Sequence, residues 1–368
     1  MINKTDGKIG SREIFVLVMY MIAVELSDMT PTFLFDKGKT ATWMIPVLAG
    51  AVIIPPFLVL SVLLKKYKNK GLIDIIYTVT GKYVGFIISM VLFLIMLLAT
   101  TVNSRDYVDI IQTLFLPRTP RLVIYILLMG TAWFIASRGL EVIGRTAWLI
   151  FPLLTLILSI FVFLALKKAN LSFLSPVWGP GLIELTKTSV KHNAIVGDII
   201  LLAALFPHVR TYKDFKIPVI FGLVVSVIEM AGSYAIYVAT FDYPSVNHVM
   251  FPFHQTLTLI HLGRFFINVE AFYFAFWVIA SVIRYAIYLY LTAAIFAYTL
   301  RLKEFEPLLL PFTALVLLLG MIPGNIMQTT LIYRQSILLK STWLIFILLP
   351  FVLWLLSKIR GDKSKCKV

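Results

Sequence analysis

The sequence predicts an all-α polytopic membrane protein with about ten transmembrane helices. Of its 368 residues, 60% are hydrophobic and only 14% are charged, and its mean hydropathy is +0.92. A soluble domain has about 25% charged residues. Apolar runs near the length that crosses a hydrocarbon core of roughly 30 Å recur along the chain. A transmembrane β-barrel would instead show alternating segments of about ten residues, and this pattern is not seen.

The apolar runs define ten predicted spans with boundaries good to a few residues. The eighth is too long for a perpendicular crossing, so it must tilt or protrude. We predict one transmembrane domain over residues 1–368, with repeats at 12–166 and 188–358 and a basic cytoplasmic tail at 359–368. The spans are 12–35, 43–64, 83–112, 121–137, 144–166, 188–209, 217–240, 265–300, 307–322 and 340–358.

The net charge of +15 is explained by topology rather than by a nucleic-acid partner. Lys and Arg are concentrated in alternate short loops, and this bias predicts that both termini lie in the cytoplasm. The single cysteine, Cys366, allows no internal disulfide, and no Cys/His metal site or cofactor is indicated. The first apolar run is long and lacks a small-residue cleavage site, so we expect it to remain as a span.

Span one contains two carboxylates and a proline in "MIAVELSDMTPTFLF", residues 21–35. Glu25 lies about 20 Å along the helix from its start, close to mid-depth. A charge there costs at least ~2.5–3.5 kcal/mol. Asp28 follows one turn later, and Pro31 cannot donate a backbone hydrogen bond. The stretch therefore predicts an interrupted helix; the alternative is a span that ends early, with both carboxylates at the outer interface.

Span six repeats this pattern in "NAIVGDIILLAALFPH". Gly197 and Asp198 lie in mid-span and Pro207 lies near its end, and glycine weakens a helix. The alternative is a neutral or locally hydrogen-bonded carboxyl with a structural role. We predict helix breaks within 24–31 and 194–200 that face each other in the bundle.

The two interrupted spans occupy matching positions in two five-helix halves. Paired interruptions are the best sequence indication of a midplane site of the transporter type. An odd number of helices in each half forces the halves to be inverted in the membrane. The pattern therefore predicts a LeuT-like 5+5 inverted repeat.

Other ionisable residues also fall inside spans. Glu229 lies in span seven, and span eight carries Glu270 and Arg284. These two are roughly 20 Å apart along one helix face, too far to pair. Asp198 and Glu25 are the candidate partners for Arg284.

The end of span three carries "NSRDYVDIIQ", in which Arg105 and Asp109 have the spacing of a helical ion pair, with Asp106 between them. This cluster is either a structural network at the outer end or an extracellular gate. The long connection 241–264 is aromatic and almost uncharged. It is either an amphipathic segment along the outer interface or an ordered loop.

Several segments resemble the B-subunit family of spore germinant receptors, the GerA-type germination permeases of the amino acid–polyamine–organocation superfamily. They are "TLFLPRTPRLVI" at 113–124, "LSPVWGPGL" at 174–182, "VGDIILLAALFPHV" at 196–209 and "VEAFYFAFWVI" at 269–279. The family's Gly–acid pair in span six is matched by Gly197 and Asp198, and its Glu and Trp in span eight are matched by Glu270 and Trp277. Family members often have small, glycine-rich residues at the break in span one. This chain has Glu25, Leu26, Ser27 and Asp28 there instead.

The resemblance implies a nutrient-sensing subunit that binds a small germinant, such as an amino acid, at the bilayer midplane. It also implies an A subunit and a C lipoprotein as partners and the spore inner membrane as the location. The alternative is a proton- or cation-coupled amino acid transporter. No catalytic motif is found, so no enzyme is expected. The predicted ligand-binding residues are Val24, Glu25, Leu26, Ser27, Asp28, Thr100, Gly197, Asp198, Glu270 and Trp277, and the predicted buried charge network comprises Glu229, Arg284, Arg105 and Asp109.

Overall fold

The computed structural model describes residues 7–260 and 269–365. Within these ranges the chain is helical, with one isolated bridge between Ile9 and Val209 and no strand, which confirms the predicted all-α class. Cys366, the last residues of the tail and the start of span eight lie outside the described residues. The helices are α1 (Ser11–Ile22), α2 (Thr30–Gly38), α3 (Met44–Lys66), α4 (Leu72–Thr80), α5 (Lys82–Leu114), α6 (Arg121–Ala136), α7 (Leu140–Leu166), α8 (Leu182–Lys191), α9 (Ala194–Leu202), α10 (Tyr212–Phe241), α11 (Pro252–Thr258), α12 (Val269–Leu300), α13 (Leu309–Gly320) and α14 (Lys340–Lys365).

Shorter helical segments of other types join these helices. A π-helix precedes α14. The 3₁₀ and π segments are Ala23–Ser27, Lys39–Ala41, Leu171–Leu174, Ala203–His208, Ser245–His248, Glu306–Leu308 and the π-helix Gln328–Leu339.

The chain is a multi-pass membrane protein. In the described part of the chain, six helices are long and apolar enough to cross a membrane: α3, α5, α7, α10, α12 and Gln328–Ile359. Two bent pairs, at spans one and six, raise this number to eight if each pair is one span. The shorter apolar helices 121–136 and 306–320 fall at predicted spans four and nine. The number of crossings therefore stays a prediction.

The predicted start of span ten is wrong. The span begins at Gln328 rather than at 340, because the polar stretch before 340 is the π-helix and continues into α14. The mean hydropathy falls at such a stretch, although its Thr329, Thr330 and Arg334 are buried in the bundle. Arg334 is therefore a residue of a span and is only 2% exposed.

Helices α1, α5 and α12 form the centre of the bundle. α1 packs against α10, α7 and α12, and α12 packs against α5 and α6. Every residue from 99 to 111 on α5 is buried, including its charged ones. α7, in contrast, is mostly exposed and apolar, as expected for a helix that faces lipid.

Several termini and loops meet at one end of the bundle. The Ile9 backbone N–H donates to the carbonyl of His208 at 2.9 Å, so the N-terminal segment lies beside the end of span six. The Lys66 ammonium donates to Ser357 Oγ at 2.7 Å, which joins the ends of spans two and ten. These contacts agree with the prediction that the N-terminal segment and the ends of spans two, six and ten lie on the same side of the membrane. Which side is cytoplasmic stays a prediction.

The described part of the 241–264 connection folds inward rather than along the outer surface. Phe253, His254 and Leu257 are 0%, 1% and 1% exposed. The His254 ring meets the Trp277 indole edge-on, with centroids 4.9 Å apart. The ordered-loop interpretation is therefore correct for these residues and the interfacial one is wrong. Residues 261–264 lie outside the described residues.

Candidate ligand site at the span-one break

Span one is interrupted where the sequence predicts it. α1 ends at Ile22, the chain continues as the 3₁₀ segment Ala23–Ser27, and α2 begins at Thr30 with the two parts bent by 66°. Asp28 is extended, and its Oδ1 accepts the Thr30 backbone N–H at 2.7 Å. Pro31 then occupies the first turn of α2, where a missing N–H is tolerated. A helix-start signal in mid-span therefore creates the break.

Side chains from neighbouring helices satisfy the backbone of the break. The Val24 carbonyl accepts hydrogen bonds from the hydroxyls of Ser27 at 2.7 Å and Tyr107 at 2.8 Å. Trp277 Nε1 donates to Ser27 Oγ at 2.8 Å. The Tyr107 and Trp277 rings stack with centroids 4.8 Å apart and planes 9° apart. The break is thus held by α5 and α12.

Glu25 pairs with Arg284, one of the two alternatives left open by the sequence. Arg284 Nη2 lies 2.7 Å from Glu25 Oε1, and Arg284 is fully buried. The same Nη2 lies 3.3 Å from the Tyr288 hydroxyl, which donates to Asp198 Oδ2. Asp198, the other candidate, is therefore linked to Arg284 through Tyr288. Among the described residues, Nε and Nη1 of Arg284 have no hydrogen-bond partner.

A second arginine, Arg334, bridges spans one and three. Its Nη2 pairs with Asp28, its Nη1 pairs with Asp106, and Nη2 also donates to Thr30 Oγ1 at 2.7 Å. Asp28 is 1% exposed and Asp106 is 0% exposed. The guanidinium therefore joins the break to α5 from the π-helix of span ten.

The predicted Arg105–Asp109 pair is present near the C-terminal end of α5. Arg105 Nε lies 2.9 Å from Asp109 Oδ2, and Arg121 Nε lies 3.0 Å from Asp109 Oδ1. Arg105 also donates to the carbonyls of Gly320 and Pro323, the latter at 3.0 Å. These bonds fasten α5 to the connection between spans nine and ten, as a structural network does.

The centre of the bundle contains more carboxylates than arginines. Within the described ranges, Arg284 pairs with Glu25, Arg334 pairs with Asp28 and Asp106, and Asp198 accepts the Tyr288 hydroxyl instead of a cation. If all four acids were ionised, the cluster would carry two excess negative charges. A cavity of about 10 Å³ lies between Glu25, Asp198 and Arg334. This is room for about one water, so the centre is closed.

Span six is interrupted, as predicted, but the break lies just before the predicted range 194–200. Span six bends by 43° at His192 and Asn193, and Gly197 and Asp198 lie within the regular helix α9. Asn193 Nδ2 donates to the Ala49 carbonyl at 2.8 Å and so holds the bend against α3. Gly197 serves close packing instead: a Cβ there would lie 2.1 Å from Cδ2 of Phe346.

The remaining predicted ligand residues are not all together. Thr100 donates to the Met96 carbonyl at 2.8 Å and lies 2.9 Å from the Thr292 hydroxyl, so it joins α5 to α12. Glu270 is half-buried in the first turn of α12, and no contact among the described residues connects it to the ion pairs. Val24, Leu26, Ser27 and Trp277 line a separate pocket together with Glu229.

The sequence alone does not reveal the roles of Arg334, Tyr107 and Tyr288. A polar run that contains one arginine between two apolar runs gives a weak signal for Arg334. The tyrosines gave none, because a tyrosine on an apolar helix face is usual in packing.

Comparison with known proteins gives a family and a fold. Residues 8–329 match the model of the family described as "Spore germination protein". The putative spore germination protein YfkT of Bacillus subtilis (strain 168) is 25% identical over 291 residues, which cover 78% of each chain. Spore germination protein KB of the same strain is 21% identical over 293 residues, covering 78% of this chain and 77% of that protein.

Among solved structures, MhsT in complex with L-phenylalanine superposes with a TM-score of 0.63 at 13% identity. The match covers 96% of this chain and 99% of MhsT. This likeness confirms the predicted LeuT-like fold.

Proposed function

Because the chain belongs to the spore germination protein family, we propose that it is a nutrient-sensing membrane subunit of a germination receptor. It binds a small nutrient, such as an amino acid, at the bilayer midplane beside the span-one break. Two observations support the nutrient class: the relatives are named spore germination proteins, and MhsT, which shares the fold, is described in complex with an amino acid.

The observation that carries the proposal is the buried Glu25–Arg284 pair at the break. Helix-break N–H groups alone suit a carboxylate ligand, and the two acids of this break suit it poorly. Arg284 removes that difficulty, because its Nε and Nη1 have no hydrogen-bond partner among the described residues. An amino acid would place its carboxylate on Arg284 and its ammonium near Glu25 or Asp198, and so exchange one ion pair for two.

The closed centre gives this exchange a conformational consequence. Only about 10 Å³ is free beside Glu25, so a ligand can enter only if the pair opens. Opening the pair loosens the break, and binding therefore favours the conformation in which the break has moved. A receptor would pass that bias to an A subunit and a C lipoprotein in the spore inner membrane, with both termini in the cytoplasm.

One observation favours a second candidate, a proton- or cation-coupled transporter of amino acids. The centre has four acids and two arginines, and excess buried carboxylates are typical of proton and cation pathways. Both candidates share the ligand position, and they differ in whether solute crosses the membrane.

The test separates binding from transport. Spores that carry Arg284→Lys should lose response to the amino acids that trigger the parent, because lysine cannot offer two parallel N–H groups to a carboxylate. Glu184→Gln removes an exposed acid and serves as the control. A parent-like dose–response curve for Arg284→Lys, with normal protein level, would contradict the proposed site. Uptake of labelled amino acids into proteoliposomes that contain only this chain would identify a transporter.

A further inference from the structure

A second pocket lies on the other face of the span-one break. It has a volume of about 70 Å³ and is bordered by spans one, five, seven and eight. Four residues of the 3₁₀ segment line this pocket, namely Ala23, Val24, Leu26 and Ser27. The side chain of Glu25 pairs with Arg284 instead. The pocket is thus separate from the central ion pairs.

Glu229 is the charged residue of this pocket. It lies on α10, is half-buried and lines the cavity. In the described part of the chain, it has no hydrogen bond or ion pair. The residues that line the pocket include no Lys, Arg or His. A carboxyl group at membrane depth is costly to ionise without a cation, so a cationic ligand would stabilise the ionised form of Glu229.

Aromatic rings form much of the remaining wall. Rings attract cations through their negative faces, and they also bury the apolar body of a ligand. The aromatic residues that line the pocket are Tyr20, Phe151, Tyr273, Phe276 and Trp277.

The pocket opens toward the apolar outer surface of the bundle. Leu154 and Leu158 of α7 and Phe276 of α12 line it and are half-buried, in contrast to the fully enclosed centre. α7 is the mostly exposed helix, so the opening faces the side of the bundle where lipid lies. A molecule that partitions into the membrane can therefore reach Glu229 without passing the ion pairs.

We propose that this pocket binds a small organic cation, a protonated amine with an aryl or short alkyl body. The ammonium lies against Glu229 and the apolar body lies among the aromatic rings. The other ligand classes fit poorly. An anion would meet Glu229 without a balancing cation, and a neutral apolar molecule would leave the carboxylate unpaired. The bound cation packs against Val24 and Ser27, and therefore against the break itself.

The test uses the full chain purified into lipid nanodiscs and isothermal titration with 2-phenylethylammonium at neutral pH. Saturable binding is expected to the parent and to the control Glu184→Gln. Glu229→Gln should weaken it about ten-fold or more, since it removes the charge and keeps the shape. The neutral analogue 2-phenylethanol should not distinguish the parent from Glu229→Gln.

A second variant keeps the proposal testable if Glu229→Gln does not fold. Thr155→Phe places a ring in the pocket from the half-buried face of α7 and leaves Glu229 intact, so it should also weaken 2-phenylethylammonium binding. Thermal unfolding and gel filtration show that each variant is folded. Equal affinity of the parent and the folded variants, or the absence of saturable binding to the parent, would overturn the proposal.

Discussion

Arg284 and Glu25 form a buried ion pair across 259 positions of the chain, with Nη2 2.7 Å from Oε1. The pair joins the break of span one to the middle of span eight and thereby connects the two predicted repeats. It lies where the backbone of span one is least regular. The stability of this pair therefore governs how readily the break can move.

Loss of one member of this pair should destabilise the protein more than loss of both. Glu25→Gln leaves Arg284 buried without its counter-charge, and breaking such a pair costs about 3–5 kcal/mol. The double variant Glu25→Gln/Arg284→Gln removes both charges and should recover part of that loss. Thermal unfolding in detergent, arranged as a double-mutant cycle, measures the coupling. Additive effects of the two single variants would show that the pair is not coupled.

Loss of Arg334 should open the centre to water from outside. Arg334→Gln leaves Asp28 and Asp106 with no cation between spans one and three. Asn103, which borders the central cavity, can report this opening when changed to Cys in a Cys366→Ser background. A membrane-impermeant thiol reagent should label Asn103→Cys faster in Arg334→Gln than in the parent. Arg145→Gln, which removes an exposed ion pair with Glu141, is the matched control; equal rates in all three would contradict the prediction.

Asp198→Asn should reduce the nutrient response sharply while the protein still accumulates in the membrane. The change keeps the size of the side chain and removes the charge that accepts the Tyr288 hydroxyl. Tyr288→Phe should have a similar effect, because that hydroxyl is the link between Asp198 and Arg284. Nutrient dose–response curves of spores, with immunoblots for protein level, provide the measurement. A curve for Asp198→Asn that overlays the parent curve would assign Asp198 a structural role.

Substitution of Gly197 should lower stability rather than only block ligand entry. Even a Cβ at this position would lie 2.1 Å from the Phe346 ring. Gly197→Ala should lower the free energy of unfolding by about 1–3 kcal/mol through overpacking. Adding Phe346→Leu to this variant should restore part of that loss. Gly232→Ala is the matched control, because nothing lies within 4 Å of its added Cβ. Unfolding midpoints of the four proteins decide the matter, and a parent-like midpoint for Gly197→Ala would refute the expected clash.

The sequence predicted the first break well because local chemistry determines it. Asp28, Thr30 and Pro31 favour a helix start, and they are easily recognised within an apolar run. The acid at position 25 required a cation, and Arg284 was visible on span eight. Which acid Arg284 pairs with depends on helix rotation, and hydropathy does not report rotation.

Two other features, the role of Gly197 and the position of Arg334, could not be predicted from the sequence. Gly197 was interpreted as backbone freedom, whereas its role is to admit the Phe346 ring, a contact 149 positions away that no local pattern encodes. Arg334 lies in a π-helix, whose side-chain period differs from the α-helical repeat on which the span prediction depends. A polar stretch that lacks the α-helical repeat is therefore interpreted as a loop.

The five-residue 3₁₀ segment Ala23–Ser27 separates two compartments, the ion-pair centre and the outer, Glu229 pocket. One of its faces carries the acid of the ion-pair centre, and another lines the Glu229 pocket. Because the segment is so short, a movement that changes the ion-pair centre also changes the Glu229 pocket. If a nutrient and an amine bind at the two proposed sites, their binding is therefore thermodynamically linked, and the linkage is reciprocal. By whatever factor an amine in the outer compartment changes the affinity for a nutrient, the nutrient changes the affinity for the amine by the same factor.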